Sequence, residues 1–164
     1  KTDLRSLMRV EESSCKPLDE AKRIDEGTSK VTFAHWLNDV QRHFGNTGLD
    51  SIAYVLKSAT PNVPIPNYDG SPASLTALKL ATTEYDLFKE WGSITKDDII
   101  AFDSWIKLHG DEVDLSNNQY ARQFLRGSVG PILRDRIDRE LEIDVSGGRL
   151  FYFIIRKLQA VSAT

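Results

Sequence analysis

The stretch VTFAHWLNDVQRHFGNTGLDSIAYVL, residues 31–56, decides how the rest of the chain is read. Phe33, Trp36, Leu37, Val40 and Phe44 recur at steps of three and four, the stripe of an amphipathic helix with one buried face. Thr32 stands where an N-cap is expected, and Gly45-Asn46-Thr47-Gly48 stops the pattern with a glycine suited to a left-handed C-cap. Leu49, Ile52, Ala53 and Leu56 then resume the same period, which predicts a second, shorter helix.

Downstream the helical period persists. Residues 58–72, SATPNVPIPNYDGSP, hold four prolines and one glycine, which suits neither a helix interior nor a central strand, so a long loop is expected. Leu75, Leu78, Ala81, Tyr85, Phe88 and Trp91 predict one helix running to Gly92. Thr95-Lys96-Asp97-Asp98 is a helix start with acids in the first turn, followed by Ile99, Phe102 and Ile106. DEVDLSNN, residues 111–118, reads as a loop whose last Ser or Asn caps a helix through Tyr120, Phe124 and Leu125. Gly127, Gly130 and Pro131 mark a kink or a new helix start before Ile132, Leu133, Ile137 and Leu141. RLFYFII, residues 149–155, is the one competitor for a strand, but with no second strand to pair with it is assigned to a final helix. The expected fold is all-α, a bundle of six or seven helices spanning 32–164, preceded by an arm.

That arm, residues 1–31, carries seven bases and seven acids with few large apolar residues. Leu4, Leu7, Met8 and Val10 suit one or two short amphipathic turns, and the arm is expected to be partly disordered or docked peripherally. The chain begins at Lys1 rather than Met, as expected for a piece of a longer protein. At 164 residues, burial of roughly 69% of the unfolded surface supports one domain with its own core. A single cysteine, Cys15, makes no internal disulfide, and no apolar run reaches the length of a membrane span, so a cytoplasmic protein is expected.

The net charge of −3 argues against a dedicated nucleic-acid binder, yet the charge is uneven. Residues 84–114 hold nine acids and three lysines; residues 122–157 hold eight bases and five acids. Two solvated faces explain this, or an acidic and a basic surface that meet between identical subunits. No metal or cofactor site emerges. His35 and His43 lie eight residues apart, outside the spacing of a helical metal pair, and DEVDLSNNQYAR lacks the central glycine and closing glutamate of a calcium loop. SGGRL lacks the Lys-Ser/Thr of a phosphate loop, and Asp97-Asp98 is explained by its place at a helix start. No catalytic residue and no small-molecule substrate is therefore assigned. Trp105, beside the Ile99, Phe102, Ile106 stripe, is expected to be partly exposed and is a contact candidate. Arg134, Arg136 and Arg139 in LRDRIDREL either pair with neighbouring acids on a solvated face or contact an anion such as RNA.

FAHWLNDVQRHFGNTGLDSIAYVL resembles the opening helices of Gag-like capsid proteins of long-terminal-repeat retrotransposons of the copia or gypsy type, with Gly48-Leu49-Asp50-Ser51-Ile52 and Tyr54 at a motif step. Ser128, Val129, Leu133 and Ile137 are similar to a second Gag segment, and SGGRLFYFIIRKLQ resembles a GGPxLFxxI element, with Arg149 where proline is usual. The resemblance covers about residues 32–160. It implies the all-α N-terminal domain of a capsid, self-assembly into a shell or virus-like particle around element RNA, and the chain itself as main partner. RNA would be a partner in the full-length protein, since the sequence carries no Cys-x-x-Cys knuckle. On that reading Trp105, Arg134, Arg136 and Arg139 are the candidates for self-association or RNA contact. The alternatives are a viral nucleoprotein or coat protein that grips RNA directly, and a monomeric helical adaptor.

Overall fold

The computed structural model describes residues 15–162. Seven helices make up most of it: α1 Lys30–Thr47, α2 Pro72–Ala81, α3 Leu87–Glu90, α4 Lys96–His109, α5 Glu112–Gly127, α6 Pro131–Glu140 and α7 Gly147–Ser162. Two short strands, β1 Tyr54–Ser58 and β2 Thr82–Asp86, form an antiparallel pair in which Tyr54 faces Asp86 and Ser58 faces Thr82. The protein is mainly helical, as expected, with one small sheet that the helical period concealed.

α1 follows its stripe, burying Phe33, Trp36, Val40 and Phe44, and ends where Gly48 turns left-handed at φ 87° and returns its N–H to the Phe44 carbonyl. Its cap is Ser29, not Thr32: the Ser29 hydroxyl accepts from the Thr32 N–H, so the helix starts three residues earlier than expected. The shorter helix expected over 49–56 is instead a 3-10 turn, Leu49–Ala53, leading into β1. The single helix expected over 73–91 breaks at Thr82. There the hydroxyl donates back to the Leu78 carbonyl at 2.7 Å, and the chain extends to pair with β1. Residues of strand-favouring type on both sides (Tyr54, Val55, Thr82, Thr83, Tyr85) and a row of backbone partners outweigh a helical spacing that was coincidental. RLFYFII is helical, at the start of α7.

α7 runs through the centre. Leu150, Phe151, Ile154 and Ile155 are fully buried, with Phe151 in ring contact with Trp36, Phe44 and Phe88. α4 starts after Thr95 as expected, and Thr95 and Asp98 form a capping box there. α5 starts five to seven residues earlier than the loop reading allowed, because Asp111 and Asp114 make a second capping box. Between α5 and α6 the chain makes a new helix start rather than a kink, with Pro131 in the first turn.

Gly130 offers α6 no side-chain cap, and the missing acceptor comes from the arm. Asp25 accepts from the Ile132 and Leu133 N–H groups at 3.0 and 2.8 Å, while Ile24 forms a parallel bridge with Val129 and is buried. Leu18 N–H adds a bond to the Ser128 hydroxyl. The described part of the arm is thus docked on the α5–α6 corner; the turn expected over Leu4, Leu7, Met8 and Val10 lies outside the described residues. Replacing Asp25 with Ala removes this cap and is expected to cost about 1–2 kcal/mol in urea unfolding. An unchanged midpoint would show that α6 holds its first turn without the arm.

Candidate interaction surface

The turn between α6 and α7 is pinned by buried polar groups. Asp103 of α4, only 2% exposed, accepts from the Ser146 N–H at 2.7 Å and pairs with Lys107 and Arg149 at 3.2 and 3.1 Å. Asn118 of α5 accepts from the Gly147 N–H at 2.7 Å and donates to the Asp114 carbonyl, and Arg122 donates to the Val145 carbonyl. Two side chains from neighbouring helices therefore supply acceptors that the start of α7 needs. Burial pushes the Asp103 carboxyl up, but the bonds from Ser146, Lys107 and Arg149 outweigh it and hold the group below its ordinary value. Burial likewise works against the Lys107 charge, yet Asp103, Glu142 and Asp144 raise its pKa.

The consequence is a firmly based projection. Glu142, Ile143 and Asp144 stand out from the turn, with both acids tied to Lys107 at 3.2 and 3.3 Å. Ile143 is 97% exposed, the most exposed of the large apolar side chains described, and so sits as an apolar knob between two carboxylates.

Beside this tip, a groove of about 570 Å³ opens between the start of α4, the end of α6 and one face of α7. Its floor is apolar, formed by Ile94, Ile100, Leu141 and Phe153, with Tyr152 held below by donation from its hydroxyl to the Ile94 carbonyl. Its rim is basic: Lys96, Arg149, Arg156 and Lys157 against a single acid, Glu140. Arg156 lies over the rings of Trp91 and Tyr152, at 5.4 and 5.8 Å, which holds its guanidinium in place while leaving the residue exposed. Lys157 lies over Phe153 and meets Glu140 at 3.5 Å.

None of the four residues singled out from the sequence lines this groove. Trp105 is buried, not partly exposed. Its indole donates to the Pro66 carbonyl at 2.8 Å, and its ring stacks with those of Tyr68 and Phe102. The reason is the proline-rich loop, whose second half folds back over α4; His109 also meets the Tyr68 carbonyl. Arg134 is turned inward onto the end of α5, donating to the Arg126 and Val129 carbonyls. Arg136 pairs with Glu26 and Glu140, and Arg139 with Asp135 at 2.6 Å. All three arginines are thus engaged within the chain, Arg134 by carbonyls and Arg136 and Arg139 by carboxylates.

The linear charge blocks do not map onto surfaces. Lys96, from the acidic block, joins the basic rim, while Glu142 and Asp144, from the basic block, make the acidic tip. Arg149, Arg156 and Lys157 share the last helix at steps of seven and one, a pattern that the charge count over 122–157 did not isolate; Lys96 and Leu141 arrive there through tertiary folding. Ile143 fell between two helical patterns and matched neither.

The segments that carried the resemblance pack against one another. The Trp36 indole donates to the Ser128 carbonyl at 3.0 Å, and its ring meets Phe151. Val129, next to Ser128, is fully buried and takes the bridge from Ile24. Gly147 and Gly148 let α7 pass against the 3-10 turn: a Cβ at Gly147 would strike the Ile52 side chain, and one at Gly148 would lie 3.2 Å from the Ile52 carbonyl. Compared with known proteins, the chain matches no family model, no curated protein and no solved structure. No helix among the described residues is long and apolar enough to cross a membrane.

Proposed function

We propose that this chain is a capsid-like domain of a retrotransposon Gag protein, a structural part that assembles with copies of itself in the cytoplasm around element RNA. The observation that carries the reading is the junction just described. Trp36 meets Ser128 and Phe151, and Ile52 lies against Gly147, so residues from three separated segments that resemble Gag pack against one another in two places. Contact between those segments gives a physical reason for their residue types to occur together in one chain, and this supports the reading.

The nucleoprotein alternative required Arg134, Arg136 and Arg139 to line an RNA groove. Their engagement with the chain's own carbonyls and carboxylates favours the capsid reading over it. Shell proteins also need contacts that are weak singly and repeated by symmetry, and the surface of this chain offers exposed apolar residues set among charges. Light scattering across concentration and salt, followed by negative-stain microscopy, tests the proposal on the longest protein that contains this chain. Regular particles or rings are expected. A protein that remains monomeric under all those conditions overturns it.

A further inference from the structure

We infer that the Glu142-Ile143-Asp144 tip of one copy seats in the basic-rimmed groove of a second copy, and that the second copy returns the same contact. This rests on the assembly reading above and names the surface that serves it.

The two features are complementary in polarity and charge. The tip presents an isoleucine that is 97% exposed, flanked by two carboxylates whose side chains are 68% and 65% exposed. The groove presents an apolar floor, with Ile100, Leu141 and Phe153 half-buried and open to a guest, beneath a rim of four cations and one acid. Among the described residues, neither Lys96 nor Arg156 is ion-paired within its own chain, so both are available to a partner's carboxylates. Seating Ile143 on the floor removes its side chain from water and brings Glu142 and Asp144 to the rim. An apolar contact ringed by charges is the general anatomy of a protein interface.

Placement is compatible with a two-fold contact. Leu141 lines this groove and also, with Glu142 and Ile143, a second groove on the α5 side, so the tip stands at the border between the two. Adjacent, mutually complementary patches suit a two-fold contact in which each copy inserts its tip into the other's groove. The tip needs no ordering on binding, since Asp103, Asn118 and Lys107 already fix its base. Nucleic acid is the less suitable occupant: Trp91 and Tyr152 are covered by Arg156, and Tyr152 is buried, so bases find no open ring to stack on.

Sedimentation velocity of residues 1–164 over rising concentration, at low and high salt, reads the contact directly. The wild-type chain is expected to form dimers that weaken as salt is added. Ile143→Ser, at a fully solvated position, is expected to weaken association about tenfold or more with an unchanged melting temperature. Lys96→Glu with Arg156→Glu, and separately Glu142→Lys with Asp144→Lys, are expected to leave each chain monomeric. Mixed together, the two charge-reversed chains are expected to form a heterodimer, because each then meets opposite charge in both contacts. Wild-type association that Ile143→Ser and the rim variant leave intact overturns this surface, while particle formation by the longer protein decides the assembly reading separately. A wild-type chain that stays monomeric also overturns it. So does single-stranded RNA binding that is lost in Lys96→Glu/Arg156→Glu without any self-association, an outcome that would assign the groove to nucleic acid.

Discussion

Replacing Trp36 with Ala is expected to destabilise the protein by about 3–5 kcal/mol, measured as a lowered urea midpoint with circular dichroism. Two losses combine. The indole is 1% exposed and packs against Phe33 and Phe151, so alanine leaves a large cavity at the centre of the core. The Ser128 carbonyl, in a residue that is itself fully buried, also loses the indole N–H it accepts. Trp36→Phe separates the two, since it keeps most of the ring volume and drops the hydrogen bond. It is expected to cost about 1–3 kcal/mol. Equal effects of the two substitutions would mean that the hydrogen bond, not the volume, dominates at this junction.

Asp103→Ala carries a comparable expected loss, again about 3–5 kcal/mol, by leaving Arg149 and the Ser146 N–H without the acceptor around which they are arranged. It also has a pH signature. The folded carboxyl titrates below its ordinary value, so its contribution is fully present above the unfolded pKa of about 3.9. That contribution drains away as pH falls through the depressed folded value. The stability gap between wild type and Asp103→Ala is therefore constant near neutrality and narrows below about pH 4. A gap that widens on acidification would mean the carboxylate is not stabilised by its partners. Arg149, standing where the resembled Gag element has proline, is one of two cations, with Lys107, that compensate this buried acid.

How far the sequence could be read depended on the range of the interactions that decide each element. α1, α4 and α7 were legible because their signals are local: a stripe such as Phe33-Trp36-Val40-Phe44, the Thr95–Asp98 capping box, a glycine at a C-cap. The strand pair was not, since five residues at 54–58 choose between helix and strand according to a partner at 82–86. The start of α5 was missed because Asn117 and Asn118 look like loop residues. In the fold both are buried, and Asn118 bonds the first turn of α7. Trp105 was misjudged for a similar reason, as the loop that covers it is distant in sequence. The interaction surface was the least legible part. Its groove draws on residues 94–100, 140–141 and 149–157, and only the fold places Lys96 beside Arg156.

The docked arm sets an order of events during synthesis. Leu18 and Asp25 leave the ribosome more than a hundred residues before Ser128 and Leu133, the groups they will bond. At ordinary elongation rates that interval is roughly 5–20 s. Throughout it Ile24 has no cleft to enter, and the nascent chain carries an apolar side chain that only the emergence of the α5–α6 corner can shelter.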